Sequence, residues 1–102
     1  MTTSRSKRAP AQAARIPAEL IHDDLVSAQA VRLYLILSLI ADRKTLTAQL
    51  SQRALGAAAG IRSMPTVRKY LRELSARGWV TWKNQTGPDG GQLVNAYTIR
   101  GK

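Results

Sequence analysis

Residues 51–82, SQRALGAAAGIRSMPTVRKYLRELSARGWVTW, read as a short helix, a tight turn, a longer helix and the start of a strand. The longer helix has two unlike sides. Val67, Tyr70, Leu71 and Leu74 recur at i, i+3, i+4 and i+7, so they share one face. Pro65, Lys69, Arg72 and Ala76 lie opposite, flanked by Arg68. One face is built for burial, and the other carries cations outward. The boundaries agree with this reading. Ser63 is placed to be an N-cap, and Pro65 is tolerated in the first turn, where the amides lack helical acceptors. Gly78 follows Arg77 as a stop, and a cation in the last turn suits the helix dipole. Ser51 caps the shorter helix, Leu50 and Leu55 bracket that cap as a hydrophobic staple, and Gly60 closes the far end.

Two short helices joined by Gly60-Ile61-Arg62-Ser63 form a helix-turn-helix candidate, and the strand, glycine-rich turn and second strand that follow add a wing. The run LGAAAGIRSMPTVRKYLRELSARGWV resembles winged helix-turn-helix regulators of the GntR type, and the small winged-helix domains of phage and plasmid regulators and replication initiators. The resemblance rests on Leu55 with Gly60-Ile61, Thr66-Val67-Arg68, Leu71 with Leu74, Gly78-Trp79-Val80 and the later Asn95 and Tyr97, and it spans residues 27–100. In one place the chain departs from the GntR pattern: the turn between Ile61 and Val67 is a residue longer than the common spacing. The fold so implied is mainly α with a small β-hairpin wing, a single winged helix-turn-helix domain over residues 16–102.

Composition narrows the function. A chain of 102 residues supports one small domain with one modest core. With no cysteine, disulfides, thiolate metal sites and cysteine nucleophiles are excluded. Sixteen basic residues against six acidic ones give a formal charge of +10. Residues 1–42 hold five basic and four acidic side chains, whereas residues 43–102 hold eleven and two. The positive excess therefore belongs to the helix-turn-helix half, as expected of a nucleic-acid surface. The plain alternative is a basic surface that serves solubility only.

Residues 1–15, MTTSRSKRAPAQAAR, lack apolar periodicity and are expected to be a disordered basic arm. Having no apolar h-region, they do not read as a signal peptide. Arg5, Lys7, Arg8 and Arg15 suit either a DNA-tracking arm or an ordinary charged terminus. Residues 16–26, IPAELIHDDLV, look extended. His22-Asp23-Asp24 has no convergent partner for a metal site, and the two aspartates suit the N-terminus of the next helix. That helix, capped by Ser27 and running to Asp42, is apolar nearly all round and needs cover on more than one side. It is too short and too interrupted to span a bilayer. Its outer flank, probed by Leu33 and Ile40, is to be covered by Ile16, Leu20, Ile21 and Leu25, by a second copy, or by both. A homodimer is expected, since winged-helix regulators gain affinity by reading two half-sites.

Thr45-Leu46-Thr47 suggests a short strand before the helix-turn-helix. After Gly78, Val80 and Trp82 alternate inward while Thr81 and Lys83 point out. A breaker-rich turn over residues 86–91 leads to a return strand in which Leu93, Asn95, Tyr97 and Ile99 share the core side. Trp79, Trp82 and Tyr97 are read as structural in preference to base-stacking platforms.

The carboxylates are scattered, Glu73 lying beside Lys69, and no serine has a histidine and an acid arranged around it, so neither catalysis nor a cofactor is expected. The expected function is sequence-specific binding of double-stranded DNA by a small cytoplasmic, nucleoid-associated transcriptional regulator. Helix 64–77 would enter the major groove with Ser63, Met64, Pro65, Thr66 and Arg68 near its leading end. Arg68 is the candidate for a bidentate contact to guanine O6 and N7. Arg53, Arg62, Lys69 and Arg72 would neutralise phosphates, and Lys83 with the wing backbone would touch the flanking groove. Asp89 at the wing tip opposes deep insertion. No room is left for an effector domain, so a small-molecule effector is not expected. Two alternatives stand beside this reading: an architectural factor of a mobile element, acting in replication initiation, partition or excision, and a winged-helix adaptor that meets an acidic protein.

Overall fold

The computed structural model describes residues 16–86 and 93–100. The arm at residues 1–15 and the glycine-rich turn with Asp89 lie outside them. The described chain runs α1 (Ala18–Ile21), α2 (Ala28–Ile40), β1 (Thr47–Leu50), α3 (Gln52–Ala59), α4 (Met64–Ala76), β2 (Val80–Thr86) and β3 (Leu93–Ile99). This is a mixed α/β fold of four helices and a three-stranded antiparallel sheet, with strand order β1-β3-β2. Thr47 faces Thr98 across one ladder and Val80 faces Ile99 across the other.

Four expectations need correcting. Residues 16–26 are not extended throughout: α1 forms one helical turn there, entered through Pro17 at φ −66° and ψ 139°. Proline lacks the amide hydrogen that a helix start leaves idle, and Ala-Glu-Leu favours a helix. Leu33 does not lie on the outer flank of α2; it is fully buried, and with Ala30, Tyr34 and Leu37 it forms the inward face. Ile16 and Leu20 join the core as expected, but Ile21 and Leu25 remain 58% and 67% exposed and stay outside it. The first strand begins only at Thr47. Before it, Asp42 leaves α2 and folds a turn, its Oδ1 accepting Lys44 N–H at 2.7 Å and Thr45 N–H at 3.1 Å. Those amides, Thr45 foremost, hold the Asp42 carboxyl below its ordinary value. Leu46 sits at φ +57°, which turns the chain into the sheet, and its carbonyl accepts Ile99 N–H at 2.9 Å.

The core joins the inward face of α2 to Leu55, Val67, Leu71 and Leu74 from the helix pair and to Val80, Tyr97 and Ile99 from the sheet. Each fully buried leucine contributes roughly 1.5–3 kcal/mol. Asn95 is the polar member of this interior, and its Nδ2 donates to the Tyr97 hydroxyl at 2.8 Å.

Trp79 ties the ends of these elements together. Gly78, at φ +79°, reverses the chain so that Trp79 N–H reaches Leu74 O at 2.9 Å and closes α4. The indole is 2% exposed, meets Tyr34 edge-on at a centroid distance of 6.5 Å, and carries the Arg100 guanidinium over its face at 3.9 Å. Its Nε1–H donates to Asp23 Oδ2 at 3.0 Å. Asp23 also accepts Arg77 Nε–H at 3.0 Å and Leu25 N–H at 3.1 Å, with 7% of its side chain exposed. Asp23 is thus engaged in this latch. At the start of α2 a further acid contributes: Glu73 accepts Ser27 N–H at 2.8 Å across the fold, a contact that its sequence position beside Lys69 does not reveal.

The Trp79 N–H foremost, with the Arg77 and Leu25 donors, holds the Asp23 carboxyl below its ordinary value of 3.8 against the opposing effect of burial. A depressed carboxylate contributes stability above its unfolded pKa and loses it as pH falls through the folded one. Asp23→Asn should therefore unfold at lower urea concentration than the parent at pH 6, and the gap should narrow progressively below pH 3.8. A gap that stays constant down to pH 2 would mean that the carboxylate charge is not what the latch uses.

Candidate nucleic-acid interface

The outward face of α3 and α4 depends on how closely the two helices meet. Ser51 Oγ accepts Ala54 N–H at 3.0 Å to start α3, and Ser63 Oγ accepts Thr66 N–H at 3.4 Å to start α4. Between them Gly60 takes the left-handed conformation at φ +74°, and Ile61 N–H returns to Gly56 O at 2.8 Å. At Gly56 α3 lies hard against the connecting turn and the first side chains of α4. A β-carbon there would lie 2.8 Å from Ile61 O and 3.0 Å from both Met64 Cε and Val67 Cγ2. Only glycine lets α4 settle this deeply against α3.

Val67, Leu71 and Leu74 are buried on the inner face of α4, and Tyr70 is half-buried. On the outer side Arg62, Ser63, Pro65, Arg68, Lys69 and Arg72 are exposed, and Arg53 on α3 is exposed too. Lys83 projects from β2 beside exposed Thr81, while Val80 is buried and Trp82 is half-buried against the core. Thr66 is half-buried, and the Ser63 hydroxyl is occupied as a cap. Met64 stands apart from the other suggested contacts: it is half-buried and packs on the core under Gly56.

The charge on this face is almost unmixed. Glu73 is the sole acid between residues 43 and 86, and it is turned back to the amide of Ser27. Two other arginines serve the fold. Arg32 Nη1 donates to Ala59 O at 2.7 Å at the end of α3, and Arg77 belongs to the Trp79 latch. Among the described residues, the cations left on the outside of α3 and α4 thus form no ion pair, and the helices that carry them hold no other acid than Glu73. Lys69 Nζ lies 5.8 Å from the Tyr70 ring, and Arg68 Nη1 donates to Gln52 Oε1 at 3.2 Å. Gln52 is absent from the residues that sequence reasoning brings forward. Its proximity to Arg68 arises across the helix pair, which no spacing within either helix reveals.

Among the described residues no three histidine or acidic side chains gather to hold a metal, and no helix is long and apolar enough to cross a membrane. Compared with known protein families, curated proteins and solved structures, the chain has no match.

The close approach at Gly56 gives a direct stability test. Gly56→Ala should destabilise the protein by about 1–3 kcal/mol, because a backbone carbonyl cannot yield as a flexible side chain can. This outweighs the roughly 1 kcal/mol that alanine gains over glycine by helix propensity. Urea denaturation reads the difference, and a stabilised variant would show that the two helices are not in contact there.

Proposed function

We propose that this chain is a winged helix-turn-helix protein that binds double-stranded DNA sequence-specifically and acts as a small transcriptional regulator on the nucleoid. The observation that carries the reading is the face of α3 and α4 just described: exposed Arg53, Arg62, Arg68, Lys69 and Arg72, which form no ion pair among the described residues, backed by a buried apolar face that fixes their orientation. In this reading α4 enters the major groove, which has the width for a helix. Pro65, Thr66 and Arg68 meet base edges near its leading end, and Arg68 forks onto guanine O6 and N7. Arg53, Arg62, Lys69 and Arg72 contact phosphates, and Lys83 on β2 reaches the flanking backbone. The function is binding alone, with no catalytic step, cofactor or small-molecule effector.

Selection of bound duplexes from a random pool tests this. Arg68→Ala should cost about 1–3 kcal/mol and relax the preference at one base pair. Lys69→Ala and Arg72→Ala should weaken all duplexes alike and lower the salt slope by about one each. Unchanged affinities and sites in all three variants would remove α4 as the reader. Absence of any binding at low salt would favour the protein adaptor, and selected sites in head-to-tail repeats would favour the architectural role.

The regulator is proposed to act as a homodimer. Leu39 and Ile40, at the C-terminal end of α2, are 48% and 45% exposed on a helix whose other face is buried. Two copies meeting there would read two half-sites about 10 bp apart, or a multiple of that, related by a dyad. Ile40→Glu leaves the buried face of α2 untouched. It should give a monomeric mass by light scattering at micromolar concentration with an unchanged circular dichroism spectrum. A monomeric mass for the unmodified protein, free and on DNA, would defeat the dimer.

A further inference from the structure

We infer that Gln52 is a positioning residue for Arg68, an inference that rests on the reading of α4 as the base-reading helix. Gln52 is the first residue of α3, directly after the Ser51 cap, half-buried as a residue but with its hydrogen bond to Arg68 on the exposed surface. Its Oε1 accepts Arg68 Nη1–H at 3.2 Å, so a residue anchored on one helix holds the guanidinium of the next. Arginine carries donors on Nε, Nη1 and Nη2 in one rigid plane. Engaging Nη1 from the α3 side leaves the Nε and Nη2 hydrogens for two acceptors on a base edge.

The anchor is needed because Arg68 stands in repulsive company. Arg72 is its i+4 neighbour and Lys69 adjoins it, both exposed on the same helix. Unanchored, a long arginine in that field spreads over many rotamers, and its apparent affinity falls with the fraction in the competent one. A glutamine holds the fork without neutralising it. A glutamate at the same position would pair with Arg68 and compete with DNA for its charge.

Three variants of the full-length protein test this against the selected duplex. Gln52→Leu should lose roughly three- to tenfold in affinity for that duplex and flatten the preference at the base pair that Arg68→Ala relaxes. Its thermal midpoint and its affinity for unrelated duplex should stay as in the parent. In the Arg68→Ala background, Gln52→Leu should change neither affinity nor preference. Gln52→Glu should raise the thermal midpoint, since an acid at the start of α3 suits the helix dipole. It should also weaken binding to every duplex and lower the salt slope by about one. If Arg68→Ala loses its base while Gln52→Leu keeps parental affinity and preference, the positioning role is overturned and the DNA reading stands. If Gln52→Leu lowers the midpoint and all binding together, Gln52 is structural and the inference is again overturned. If Arg68→Ala alters nothing, the DNA reading fails and takes this inference with it.

Discussion

The burial of Trp79 is the interaction on which the rest of the structure hangs. Its backbone ends α4 at Leu74 and receives Arg100 from the end of β3. Its indole edge is satisfied by Asp23, its face is covered by Arg100, and its rim meets Tyr34 of α2. Tyr34 in turn donates its hydroxyl to Arg100 O at 2.6 Å. A large ring 2% exposed, with its one donor satisfied, draws the α1–α2 connection, α2, α4 and both long strands to one point. The acid and arginines that do this gather at the C-terminal end of α4, where Asp23, Arg77 and Arg100 surround the indole.

That division of labour follows from how few carboxylates the chain has. Asp23 serves the indole, Asp42 serves a turn, and Glu73 serves the amide of Ser27. Each accepts hydrogen bonds from groups that the fold must satisfy in any case. These three are thus engaged away from Arg53, Arg62, Lys69 and Arg72. The outward cations therefore repel one another, and what holds them in place is the apolar face of α4, which buries Val67, Leu71 and Leu74. Stability and surface potential come from opposite sides of the same helix. This lets the outer side vary in sequence without unmaking the inner one.

Much of this was legible in the chain. The 3.6-residue period at Val67, Tyr70, Leu71 and Leu74, the serines at 51 and 63, and the glycines at 60 and 78 mark α3 and α4 within a residue, because caps and periodicity are local properties. The interior of α2 was harder. A helix apolar on most sides gives no phase, and only packing reveals that Leu33 is inside while Leu39 and Ile40 are outside. The strand starts two residues beyond Thr45 because Asp42 folds a turn whose effect runs through Leu46 at positive φ. The site was legible as a list of exposed cations and illegible as a constellation. Met64 looks like a reader by position in the helix but is drawn under Gly56, and Gln52 looks like an ordinary helix start until α4 is laid against it.

The last of these points connects the fold to the site. Gln52 and Arg68 are sixteen residues apart, and nothing local brings them together. What does is the approach of α4 to α3 at Gly56, where Ile61 O and Val67 occupy the space that a β-carbon would need. Helix axes normally lie about 8–10 Å apart, with small side chains at the crossing giving the closest packing. At such a crossing a glutamine on one helix reaches a guanidinium on the other without bending either. Were the helices held farther apart, the same two side chains would each be solvated separately, and Arg68 would be one more mobile cation on a basic face. A glycine chosen for packing thereby sets the geometry of an arginine chosen for charge.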